Sequence, residues 1–255
     1  MICTGLVSKT FEHLSPGEVV DLAQKAGLDG IEWSGGQHVP AGDFKKAKKV
    51  ALLTKEASLS ISSYGSYFRA GIHDIKEFEI NLETAKALQA PTIRIWASNT
   101  ASVDADHALW QTVISDSRTM SEMALNEKIS VAFEYHRNTL TDTNESAYKL
   151  ITQIGHNNSF LYWQPLLDLS VIERYEGLNK ILPWLKNIHV FQWTLNSLTK
   201  EIIRHPIKDG LEEWKRYVEV VRKSSKKHYL MLEFIKDGDP KQFIEDACIM
   251  KSLLE

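Results

Sequence analysis

Ser130-Val131-Ala132-Phe133-Glu134-Tyr135-His136 decides how this chain is read. The run is short, apolar and β-forming, yet a carboxylate sits near its end. An ionised group in a buried strand is costly unless something pairs with it. Two more runs repeat the pattern: Tyr229-Leu230-Met231-Leu232-Glu233-Phe234 ends on an acid, and Asn187-Ile188-His189-Val190-Phe191 carries an imidazole. Three polar exceptions at the ends of apolar runs imply strands that converge on one polar site.

Outward from this run, β-rich segments recur at Ile2–Val7, Gly30–Trp33, Leu59–Tyr64, Thr92–Ala97, Ile129–His136, Phe160–Gln164, Asn187–Trp193 and Tyr229–Phe234. Several are continuously apolar, as strands of a parallel sheet buried on both faces must be. Helical patterns lie between them, at about 43–57, 74–89, 103–126, 142–154, 170–185, 210–224 and 240–254. The first helix has the clearest signals: Ser15 as N-cap, Pro16 in the first turn, Glu18 completing a capping box, and Gly27 at the end. Strand then helix, eight times at roughly 30-residue spacing, predicts a single (β/α)8 TIM barrel of the α/β class, one domain over residues 1–255. An open doubly wound sheet would bring a glycine-rich turn after the first strand, and Val7-Ser8-Lys9-Thr10 is not one. The longest break in the rhythm, Thr194 to Asp209, is expected to cover the active site.

Bulk properties exclude several classes. A net charge of −3 at pH 7 gives no basic face for nucleic acid. No apolar run reaches the ~18 residues of a membrane span. The N-terminus is too short and too polar for a signal peptide. The two cysteines, Cys3 and Cys248, form no ligand pair and no disulfide framework, which points to a reducing, cytoplasmic setting. Homo-oligomerisation is left open.

In such a barrel the active site lies at the C-terminal ends of the strands. The polar residues placed there are Glu32, Arg94, Glu134, His136, Gln164, His189, Gln192 and Glu233. Glu134, Gln164, His189 and Glu233 fall on consecutive strands five to eight. Carboxylate oxygen, amide oxygen and imidazole nitrogen together suit one divalent cation: Mn²⁺, Mg²⁺, Co²⁺ or Zn²⁺. Singly, each has a plainer reading, as a salt-bridged acid, a satisfied core histidine or a loop-bonded amide.

Four motifs in order, Gly27-Leu28-Asp29-Gly30-Ile31-Glu32-Trp33, Phe133-Glu134, Asn187-Ile188-His189-Val190 and Leu232-Glu233-Phe234, give the chain a resemblance to the xylose-isomerase-like barrel superfamily of sugar phosphate isomerases and epimerases. The resemblance runs along essentially the whole chain. It implies one catalytic metal held by Glu, Asp, His and Glu from strands five to eight, with Glu134 and Glu233 matching the two glutamates. Two positions depart from the pattern. Gln164 stands in the Asp slot, removing one negative charge and weakening metal binding, with Asp168 four residues on. Phe191 stands where the family often shows a second histidine, leaving His189 alone.

Expected substrate contacts are Trp33, His38, Tyr64, Arg69, Trp96, His136, Trp193 and Arg204, which follow strand ends or lie in the long loop. The reading is a metal-dependent sugar or polyol isomerase or epimerase, with Glu134 and Glu233 moving a proton next to a carbonyl through an enediolate. A lyase dehydrating a keto-polyol of the inosose type starts with the same proton abstraction. A sugar-binding barrel without catalysis is the third reading.

Overall fold

The computed structural model describes residues 1–196, 198–199 and 201–255; Ser197 and Lys200, inside the expected covering loop, lie outside it. Among the described residues ten strands run in chain order: β1 (Ile2–Val7), β2 (Gly30–Ser34), β3 (Ser60–Ala70), β4 (Thr92–Ala97), β5 (Ser130–Glu134), β6 (Ser159–Trp163), β7 (Leu185–Val190), β8 (Gln192–Leu195), β9 (Ile202–His205) and β10 (His228–Leu232). Eight of them form a closed parallel barrel in the order β1-β10-β7-β6-β5-β4-β3-β2. β1 closes the ring: Ile2 to Leu6 pair with His228 to Leu232, and Gly5 to Val7 pair with Gly30 to Glu32. A closed sheet leaves no unpaired edge. Strands β8 and β9 form a separate antiparallel hairpin. This is a single (β/α)8 TIM barrel.

Eight helices surround it: α1 (Pro16–Lys25), α2 (Phe44–Glu56), α3 (Ile75–Leu88), α4 (His107–Asn126), α5 (Asn144–Ile154), α6 (Val171–Ile181), α7 (Leu211–Arg222) and α8 (Pro240–Ser252). Their starts are written in the sequence. Ser15, Asp43, Asp74, Asp106, Thr143, Ser170 and Asp239 each cap a helix N-terminus through the side chain, worth about 1 kcal/mol apiece. Ser15 and Glu18 form the expected capping box, and Gly27 follows α1 with φ +63°. Asp106 moves the start of α4 to His107, four residues later than the pattern suggested.

Two strands differ from expectation. The third continues past Tyr64 to Ala70, with a register shift between Gly65 and Arg69. The seventh stops at Val190, and Gln192 to Leu195 pair instead with Ile202 to His205. The apolar run Ile188 to Trp193 therefore serves two sheets, and the expected covering loop carries a hairpin.

The main hydrophobic core lies between barrel and helices. Alternation sends Trp33, Phe133, Trp163, Ile188 and Val190 into this layer. The opposite faces of the same strands are left for Glu32, Glu134 and His189. Trp163, Trp214 and Tyr217 interlock there, with ring centroids 5.1 to 6.4 Å apart. Trp214→Ala is expected to destabilise the fold by about 3–5 kcal/mol, read as a lower urea midpoint with an unchanged slope.

Candidate active site

At the C-terminal end of the barrel three buried acids surround two buried bases. Arg94 on β4 bonds Glu32 of β2 through Nε at 3.1 Å and Glu134 of β5 through Nη1. His189 on β7 sits between the acids. Its Nε2 is 3.4 Å from Glu32 Oε2; its Nδ1 is 3.2 Å from Gln164 Oε1, 3.4 Å from Glu134 Oε1 and 3.3 Å from Glu233 Oε2. Glu32 also accepts from Ser63 Oγ at 2.8 Å. Gly65 makes room for this network: a Cβ there would lie 2.6 Å from Glu32 Oε1 and 2.8 Å from Arg94 Nη2.

The charges shift one another. Burial disfavours the charge on Glu32, yet His189 and Arg94 hold it well below the usual carboxylate range. Burial likewise opposes Glu134, and Arg94 then His189 pull it down. Glu233 goes the other way. Burial is the largest cause, Glu134 adds to it, and the carboxyl is pushed up to about 7. Burial alone would lower His189, but Glu233 and Glu32 raise it to about 10.

Glu134, His189 and Glu233 each offer a ligand atom, and these atoms lie within 4.8 Å of one another. His189 Nδ1, 3.4 Å from Glu134 Oε1 and 3.3 Å from Glu233 Oε2, falls within the roughly 4 Å that can separate two donors about 2.1 Å from one ion. Glu233 Oε2 is buried and makes no hydrogen bond. Gln164 Nε2 donates to the Tyr135 carbonyl, which turns Oε1 towards His189 and fixes it as an oxygen donor. Asp168 is exposed, so no displaced acid replaces the missing one. With His189 neutral, three carboxylates face the single Arg94 cation, an imbalance that a divalent ion would neutralise. The residues fit such an ion. In its absence, protons on His189 and Glu233 carry that charge. Glu32, on the far ring nitrogen, stands as a ligand-orienting carboxylate does.

Beside Gln164 a cavity of about 250 Å³ opens, lined by His136, Arg137, Trp193, Arg204 and Phe234 among others. His136 Nδ1 lies 2.8 Å from the Arg137 carbonyl, so that nitrogen carries the proton and Nε2 is left with a lone pair. Trp96 packs 5.3 Å from His136, with Arg69 4.4 Å over its ring. Arg204 lies 4.9 Å over Phe234, and Phe234 stacks on Trp193. Phe234 has φ +49°, a strained value for a bulky residue, in the turn directly after Glu233.

Five of the expected contacts, Arg69, Trp96, His136, Trp193 and Arg204, thus gather at the mouth. Three do not. Trp33 is fully buried and donates to Thr54 of α2 at 3.0 Å. His38 is bonded on both ring nitrogens, to Ser8 Oγ and the Leu14 carbonyl. The Tyr64 hydroxyl donates to the Val39 carbonyl. All three serve packing, because they occupy the outward face of their strands or the loop behind it. Phe191 is buried against Trp193 and Phe234, so His189 is the imidazole that reaches the acids. Sequence reasoning noted Glu32 and Arg94 but gave them no role. The signal was there, since a charged residue inside Thr92-Ile93-Arg94-Ile95-Trp96 is as anomalous as Glu134.

The model of a known family matches residues 20–253 of this barrel, under the description xylose isomerase-like TIM barrel. The chain belongs to that family. Within it, a 3-dehydroshikimate dehydratase of Bacillus anthracis is 24% identical over 203 residues, 74% of this chain and 69% of the relative. A solved structure of a probable 3-dehydroshikimate dehydratase, AsbF, involved in petrobactin synthesis in the same organism, superposes with a TM-score of 0.78, at 19% identity and over 99% of each chain. More distant in fold are a xylose isomerase-like barrel from Mycobacterium smegmatis solved with magnesium (TM-score 0.71, 14% identity, 99% and 98% coverage) and a D-psicose 3-epimerase from Clostridium cellulolyticum with D-tagatose (0.72, 12%, 99% of each).

Two outcomes follow for this site. Glu32→Gln is expected to weaken Mn²⁺ binding about 10–100-fold, read by calorimetry; unchanged affinity would refute the orienting role. Metal affinity is expected to rise with pH. His189, protonated up to about 10, and Glu233, up to about 7, must each lose a proton to bind. Calorimetry in two buffers of different ionisation enthalpy counts the protons released.

Proposed function

We propose that this chain is a lyase that removes water from a cyclic keto-polyol, 3-dehydroshikimate or a close analogue. The observation that carries the reading is the convergence of Glu134, Gln164, His189 and Glu233, with Glu233 Oε2 making no hydrogen bond among the described residues, beside the cavity lined by His136. The similarity to a 3-dehydroshikimate dehydratase supports dehydration over the isomerase or epimerase reading.

A divalent ion held by Glu134, Gln164, His189 and Glu233 would polarise the substrate carbonyl and acidify the neighbouring C–H. The protein's own residues supply the rest. His136 Nε2 takes the proton from the carbon beside the carbonyl and then delivers it to the departing β-hydroxyl. Carbon–hydrogen and carbon–oxygen bonds break, a carbon–carbon double bond forms, water leaves and the imidazole returns to its starting state. Glu134, held ionised by Arg94, stays an anion throughout. Arg69, Arg137 and Arg204 have no acid within 4.0 Å among the described residues, and they suit a substrate carboxylate. The indole N–H groups of Trp96 and Trp193 are buried without partners among the described residues and suit substrate oxygens. The unpaired Cys3 and Cys248 support a reducing, cytoplasmic compartment.

The test is product mass after incubation with 3-dehydroshikimate and Mn²⁺. Loss of one water is expected, and His136→Gln should lower kcat about 10²–10⁴-fold. A product of unchanged mass would make the enzyme an isomerase or epimerase. Tight substrate binding with neither product nor solvent exchange would make it a sugar-binding barrel.

A further inference from the structure

The opposite end of the barrel carries another cavity, of about 320 Å³, in which polar side chains stand among Ile61, Pro91 and Tyr229. Ser60, Ser62, Thr92, Lys186, Asn187 and Lys227 line it, most of them from the first residues of β3, β4 and β7. Lys186 precedes His189 by three residues along β7, which at about 3.3 Å per residue sets the two sites roughly 10 Å apart. We propose that this N-terminal mouth of the barrel is a binding site for a small oxyanion, a phosphate or a carboxylate.

Positive charge collects here with no acid in direct contact, although Tyr229 and the more distant Asp29 favour the charge on Lys227 and the Pro183 carbonyl accepts from Lys226 Nζ. Lys186 is half-buried, and its Nζ donates to Ser130 Oγ at 3.0 Å. The ammonium groups of Lys186 and Lys226 both lie over the Phe160 ring, at 5.0 and 5.6 Å. The Met1 ammonium donates to the Lys226 carbonyl. Among the described residues, none of Met1, Lys186, Lys226 and Lys227 has an acid within 4.0 Å. Asp29, the acid that Lys227 feels, is engaged by Thr4 N and Oγ1 at 2.7 and 2.9 Å.

A half-buried ammonium beside another cation is unfavourable, and an anion between them relieves both the repulsion and the desolvation. Burial, then Lys226, hold Lys186 below the ordinary lysine value, in line with an uncompensated cation. An independent sign is Thr92. It is fully buried, it lines this cavity, and its Oγ1 has no hydrogen-bond partner. Its hydroxyl and the Lys186 ammonium provide donors of two kinds, as oxyanion sites do. Bound there, an anion would tie the starts of β3, β4 and β7 together, and it would stabilise the fold by mass action rather than take part in the reaction.

The experiment is a titration of the full chain with inorganic phosphate, followed by amide NMR, with succinate in a parallel series. Saturable shifts are expected at Ser60 to Ser62, Thr92, Lys186 and Lys227, and the anion that saturates at lower concentration names the class. Lys186→Met and Thr92→Val keep side-chain volume, and each should weaken binding about tenfold, the loss of one charge-assisted or neutral donor. Arg204→Ala, at the other mouth, should leave these shifts unchanged. The proposal is overturned if neither anion saturates these amides, if both variants bind as the wild type does, or if shifts appear only around Arg137, Gln164 and Arg204.

Discussion

The upper half of the barrel depends on the Arg94 guanidinium. It lies between Glu32 and Glu134 with all three side chains out of water. Each of these charges alone would cost several kcal/mol to bury, and removing one partner leaves the others uncompensated. Arg94 therefore sets the state of both acids. Glu32 stays anionic and faces His189 Nε2, while Glu134 stays anionic and faces Nδ1. Even the backbone answers to this arrangement, since only glycine at position 65 leaves room for the carboxylate and the guanidinium.

Chemistry follows from what Arg94 leaves unpaired. Glu233 is the third acid in a space with one permanent cation, and burial pushes its carboxyl up to about 7. Together with His189 and Gln164 it forms a set of donors that wants one more positive charge. Gln164 supplies oxygen without charge: three carboxylates already face the site, and a fourth would add repulsion that Arg94 does not offset. Glu32 contributes its charge from behind the imidazole instead.

The mouth of the site is built by a different set of residues. The hairpin of β8 and β9 carries Trp193 and Arg204, and the left-handed turn at Phe234 brings that ring against both. Aromatic faces, unpartnered indole N–H groups and unpaired arginines form a mouth suited to an oxygen-rich anion.

Much of this was legible in the residues. Eight apolar runs separated by capped helices specify the barrel, because a parallel strand must be apolar on both faces and a helix must satisfy its first amides. Glu134, His189 and Glu233 stood out because a charge in such a run needs a partner. Which face each residue takes was not legible for Trp33, His38 and Tyr64, whose types suit a pocket and a core equally well; the register of the closed sheet turned Trp33 and Tyr64 to the helix layer, and bonds to Ser8 and Leu14 hold His38 in the loop behind it. The hairpin was hidden because Asn187 to Trp193 reads as one continuous β-forming run, and nothing local marks the break between the two strands at Phe191. The sequence by itself determined the elements and named the polar residues, through periodicity and the cost of burying charge. Tertiary structure decided which of them meet, because the pairing of Glu32, Arg94, Glu134 and His189 spans contacts up to 157 residues apart along the chain.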